Sequence, residues 1–276
     1  MTTDTGSAAP TLPAYSAPQR VSQARVARSE WTKLRTQPSA VWALLSAVVL
    51  VVGFGVLYCL VRVTRPPHGA AAISSFDPAA ISLAGISLAQ LAVGVLGVLL
   101  ISSEYATGLI RASFAAVPSR LPVLWGKAAV FALTTLTLCV PATFAAFLVG
   151  QSILSRQHLG TALGQPGVGR AVLGGALYLG VVGLLGLGLG ALLRSTAGAI
   201  ASLFGALFAL QIVVGFLPGS WSDDVYKYLP APAGMAVTAV RPDPSSLAPW
   251  AGFGVFCLYT AVVLGLAAHR MHHRDA

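Results

Sequence analysis

Six apolar runs, each longer than the ~18 residues that a bilayer-crossing helix needs, dominate this sequence, and none contains Asp, Glu, Lys, Arg or His. They are Ser39 to Val61, Ala80 to Ser103, Ala128 to Leu154, Ala171 to Leu193, Gly198 to Pro218 and Pro249 to Ala268. The expected fold is therefore all-α, a polytopic membrane protein with six transmembrane helices. Composition agrees: 9% of the 276 residues are charged, against about 25% in a soluble domain.

The fourth and fifth runs are almost continuous. As one helix, Ala171 to Pro218 would be about 72 Å long at 1.5 Å per residue, more than twice a ~30 Å hydrocarbon core. The chain must turn, and Arg194-Ser195-Thr196-Ala197-Gly198 is the only candidate. Arg194 stays at the headgroups there, and Ser195 or Thr196 caps the next helix.

Lys and Arg in the connecting segments set the orientation, because they are heavier on the cytoplasmic side. With the N-terminus inside, the inner segments hold Arg20, Arg25, Arg28, Lys33, Arg35, Arg111, Arg120, Lys127, Arg194, Arg270 and Arg274. The outer segments hold only Arg62, Arg65, Arg156, Arg170, Lys227 and Arg241. Both termini are thus expected in the cytoplasm of a cell whose plasma membrane the chain crosses. The net charge of +9 then follows from topology and anionic lipid headgroups, and no nucleic-acid partner is needed.

Residues 1–19, rich in Thr, Ala, Pro and Ser without an apolar centre, read as a disordered tail and not as a secretory signal. Just before the first run, Ala24, Ala27, Trp31 and Leu34 share one helical side, while Arg25, Arg28, Lys33 and Arg35 lie mostly elsewhere. This is an interfacial helix on the inner leaflet, with Trp31, Lys33 and Arg35 at the headgroups; the alternative is a basic flank that only fixes topology. The stretch Glu104 to Lys127, built as a helix, puts Glu104, Gly108 and Arg111 on one face and Ala106, Ile110, Phe114 and Val117 on another. That pattern reads as a cytoplasmic docking surface.

On the outer side, Gly219 to Ala248 is too apolar to float in water, and Ala233 to Val240 reads either as a short helix dipping back into the outer leaflet or as part of a compact lid. Gly186 and Gly190, and again Ala201 and Gly205, have the spacing that lets helix backbones approach, within the chain or across a dimer.

The energy source is missing from the chain. An ion-coupled carrier normally keeps an ionisable residue within the membrane, and the six runs hold none. The three lysines, Lys33, Lys127 and Lys227, do not end a G-x-x-x-x-G-K-[ST] phosphate loop. No catalytic constellation stands out, so the chain is not read as an enzyme. Cys59, Cys139 and Cys257 behave as small hydrophobes without disulfide or metal, and His269, His272 and His273 read as a solvated tail. No cofactor is expected. Gln90, Thr134, Thr135, Thr137 and Gln211 are the polar positions within the runs, suited to hydrogen bonds between helices or to a substrate.

Two motifs carry a family resemblance: Ser29-Glu30-Trp31-Thr32-Lys33-Leu34-Arg35 before the first run and Glu104-Tyr105-Ala106-Thr107-Gly108-Leu109-Ile110-Arg111 after the second. With six spans following the first motif, residues 20–276 resemble the membrane subunits of ABC-2 type ATP-binding cassette exporters, in particular the small permeases of high-GC Gram-positive bacteria. The resemblance implies one permease domain, a homodimer or heterodimer, bound to a separate ATPase subunit. It also implies that the segment after the second span is a coupling helix, so that Glu104, Gly108 and Arg111 belong to the ATPase-facing region. Leu109 follows Gly108 where many relatives have Thr. The translocation path is expected to be apolar, with Phe204, Phe208 and Gln211 on the fifth span as candidates. The competing readings are an ion-coupled or passive carrier and a non-transporting anchor or sensor with a permease-like fold.

Overall fold

A computed structural model of the chain describes residues 23–65, 76–106, 121–216, 218–241, 243 and 245–273. Among these residues every regular element is helical. The tail 1–19 and most of the expected coupling helix, including Gly108 and Arg111, lie outside them.

Among the described residues, six helices are long and apolar enough to cross a membrane, as expected of a multi-pass membrane protein. Helix α1, Gln23–Thr36, precedes the first of these, α2, Pro38–Thr64. Pro38 opens α2 at a first-turn position, where its missing N–H would have no helical partner. A short α3, Pro78–Ser82, follows, capped by Asp77, whose Oδ1 accepts hydrogen bonds from the amides of Ala79 and Ala80 at 2.9 and 3.2 Å. Helices α4, Ile86–Ala106, α5, Leu121–Leu154, and α6, Val168–Leu193, are the next three spans. The fifth, α7, covers Thr196–Gly215. At the far end α8, Gly219–Tyr226, and α9, Pro230–Met235, fill the connection to the last span, α10, Pro249–His273.

Two helix starts depart most from the apolar runs. The second run begins at Ala80, yet the span begins at Ile86, because the chain turns at Leu83 to Gly85. A Cβ at Gly85 would collide with the carbonyl oxygens of Leu50 and Val51, so glycine lets this turn press against α2. At that contact α2 is locally a π-helix, Leu50–Phe54. The third run begins at Ala128, yet α5 begins at Leu121 and carries Lys127 inside it.

The core is the α4–α6 contact, and α6 is the central helix: 67% of its apolar window is buried, against 22% for α7. Glycines make this possible. A Cβ at Gly97 would strike the carbonyl of Gly183, one at Gly186 the carbonyl of Gly94, and one at Gly190 would meet Ile101 and Val98 within 3 Å. Gly186 and Gly190 therefore pack within the chain, against α4. Gly205 has open space around its Cβ position and Ala201 is exposed, so the second small-residue pair has no such contact.

The hairpin between α6 and α7 falls where the length argument puts it. Arg194 adopts the left-handed conformation, φ 55°, and Ser195 caps α7 by accepting a hydrogen bond from the Gly198 amide at 3.3 Å. At the far end, α9 and the 3-10 turn Ala236–Thr238 wedge between α6 and α10. Gly234 faces the rings of Tyr178 and Phe256, and Val237 is fully buried beside Gly174.

Candidate functional site: a buried four-charge cluster

At the α1 end of the bundle, three elements bring four charged side chains to one point. On α1, Glu30 sits in the stripe formed by Ala27 and Leu34, which pack on the core, and this spacing turns Glu30 inward as well. Lys33, one turn on, lies at the edge of the same face. Glu104 ends α4, and Lys127 lies in the second turn of α5.

The lysines bridge the acids in a closed ring. Lys127 Nζ donates to Glu30 Oε2 at 2.5 Å and to Glu104 Oε1 at 2.9 Å. Lys33 Nζ donates to Glu30 Oε1 at 2.8 Å and to Glu104 Oε1 at 3.2 Å. The side chains of Glu30 and Lys127 are each 5% exposed and that of Glu104 is 11%, while Lys33 is 45% exposed. An unpaired ion in such surroundings would cost several kcal/mol. The ring removes that cost by matching two negative charges with two positive ones.

Electrostatics follows the geometry. Burial alone would push the Glu30 carboxyl up, but the adjacent Lys127 ammonium and hydrogen bonds from Lys127 and Lys33 outweigh it and hold the group below its ordinary value. Burial likewise opposes the charge on Lys33, and its contacts with Glu30 and then Glu104 overcome this, so its pKa is raised. Both groups stay ionised across the neutral range. Glu104 Oε2 is buried with no hydrogen-bond partner among the described residues.

Further contacts lock this end of the bundle. Thr196 donates to Ser102 Oγ at 2.9 Å, joining the start of α7 to α4. Arg270 donates to the Leu192 carbonyl at 2.5 Å, placing a cation on the last carbonyls of α6, where the helix dipole favours it. The Arg194 guanidinium lies over the Tyr105 ring at 5.3 Å.

The ring contains two of the residues marked in the sequence, Lys33 and Glu104. Trp31 and Arg35 point away from it and are exposed. At the opposite end, Phe208 and Gln211 line a cleft of about 490 Å³ with Ser87, Gln90, Tyr226 and Met235. Phe204 is 40% exposed and packs against Phe208, the rings tilted by 36° with centroids 5.9 Å apart. At the base of the cleft Gln90 Oε1 accepts a 2.5 Å hydrogen bond from Tyr178 of α6, whereas Thr134 and Thr137 bond carbonyls of their own helix.

No protein-family model matches the sequence, and no curated protein matches it.

Glu30 and Lys127 are the members that sequence reasoning missed as a site. Their signal was faint: Glu30 interrupts an apolar stripe, and Lys127 follows Val123, Leu124 and Trp125 and precedes an uncharged run. Only their meeting in space gives these details a common meaning.

Proposed function

We propose that this chain is the membrane-spanning permease subunit of an ABC-2 type ATP-binding cassette exporter, with the α1 end in the cytoplasm and a separate ATPase docked there. The observation that supports this reading is the charge ring. It joins α1 to the end of α4 and the start of α5, the two helices that bracket the polar segment 107–120. A push on that segment by a partner would reach both spans and α1 together.

In this reading Gly108 and Arg111 meet the ATPase, and Glu104 anchors the base of the segment, its charge already matched by the two lysines. Lys33 has the same anchoring role, while Trp31 and Arg35 rest at the inner headgroups. The permease works as a homodimer or heterodimer. Phe208 and Gln211, in a cleft with apolar and polar walls, suit an amphipathic cargo, with Phe204 beside them at the lipid boundary.

An ion-coupled carrier would need a carboxylate free to take up a proton or cation. Glu104 Oε2 is the one feature that favours it, and the two ammonium groups on Oε1 oppose it. The deciding experiment is crosslinking and tagged purification from the native membrane. A phosphate-loop ATPase should copurify, and Arg111→Glu should reduce its recovery about tenfold, equivalent to ~1.4 kcal/mol, at unchanged insertion. Solute movement by the chain alone in proteoliposomes would overturn the exporter reading.

A further inference from the structure

The four charges divide into two pairs that are each neutral on their own. Glu30 and Lys33 both belong to α1 and meet at 2.8 Å across one helical turn. Glu104 and Lys127 both belong to the spans and meet at 2.9 Å. Of these four contacts, the cross pairs, Lys127 with Glu30 at 2.5 Å and Lys33 with Glu104 at 3.2 Å, are the two that tie α1 to the bundle.

This division matters because separating a buried ion pair is costly chiefly when it leaves a charge without a partner. Breaking both cross pairs leaves none. Each carboxylate keeps the ammonium of its own body. Among the described side chains of α1, the apolar part of the contact is Leu34, which is buried, and Ala27, which is partly so. Lys33, the half-exposed member, is the point at which water can enter the ring.

We propose that α1 is a releasable strap: a helix that docks on α4 and α5 through charge matching and leaves with Glu30 and Lys33 still paired, while Glu104 and Lys127 stay paired with each other. Released, α1 keeps Ala27, Trp31 and Leu34 along one flank and Arg28, Lys33 and Arg35 available to headgroups, so the lipid surface receives it. The strap is a property of the chain and does not depend on what the chain transports.

Charge inversion tests this directly. Glu30→Lys with Lys33→Glu preserves the pair on α1 but sets Lys against Lys127 and Glu against Glu104. Both changes are outside the spans, so the bundle still inserts. Adding Glu104→Lys with Lys127→Glu inverts the whole ring and restores every contact. The readout is the distance between spin labels at two exposed positions, Arg28→Cys on α1 and Leu133→Cys on α5, in a background with Cys59, Cys139 and Cys257 replaced by Ala.

The double inversion is expected to move the population from one short distance to a broad, longer distribution, and the fourfold inversion to return it to the short one. An unchanged distance in the double inversion would overturn the proposal. So would failure of the fourfold inversion to restore docking, since other contacts would then be holding or excluding α1. Neither outcome bears on whether an ATPase drives the chain, which copurification decides.

Discussion

Lys127 shows how one residue can be misread by its charge alone. In the sequence it closes a polar stretch and counts toward the inner side of the membrane; in the fold it is an almost fully buried bridge between two carboxylates. Replacing it with Met leaves both acids short of a partner and should destabilise the protein by about 3–5 kcal/mol, measured as a fall in thermal unfolding temperature in detergent. Acid should act on the same contact. Because the Glu30 carboxyl is held below its ordinary 4.5, its stabilisation is present above that value and lost as pH falls through the lower, docked one. Lys33 is raised above 10.5, so its share is present below that value and fades only in stronger alkali. Protection of α1 amides from hydrogen exchange, corrected for intrinsic rate, should be flat from about pH 6 to 9 and fall below about pH 4. The pairing between elements was not legible in the sequence, since Glu30 and Lys127 are 97 positions apart and come together only through the packing of α1 on the spans. Glu104 and Lys33 were marked as important, but exposure and partner depend on that same packing.

At the scale of elements, far more was readable. A run of twenty uncharged apolar residues can satisfy its backbone in lipid only as a helix, and all six runs became helices. The turn at Arg194 was forced by length, and Ser195 took the cap. What length does not encode is close approach between helices, which decided the start of α4 through Gly85 and the α4–α6 contact through Gly97 and Gly186. Gly97→Ala should therefore cost about 1–3 kcal/mol by overpacking, whereas Gly53→Ala, with nothing near its Cβ, should be neutral or slightly stabilising. Comparing the two unfolding temperatures separates crowding from any general effect of glycine in a span. Ser195→Ala should lower stability by about 1 kcal/mol through the lost cap.

Across the whole molecule, the bundle has a buried centre and lightly covered outer spans. Helix α6 is held by α4, α5, α7 and α10, while α2, α7 and α10 have few buried residues, and α2 and α7 each contain a π-helical segment, Leu50–Phe54 and Gly205–Ala209. The far end is closed by α9, which enters between α6 and α10 because Gly234 leaves room for Tyr178 and Phe256. Gly234→Leu should expel that wedge, and a cysteine at the buried position Ala231 should then become reactive to a membrane-impermeant maleimide; continued protection would mean that the loop is held by other contacts.

The neutral pairing within the charge ring also bears on how the chain is made. Glu30 and Lys33 leave the ribosome together, and Glu104 precedes Lys127 by only 23 positions. The pair α4 and α5 can thus enter the bilayer with its lysine already matched, whether or not α1 has docked. Insertion of these two spans and docking of α1 are then separable events.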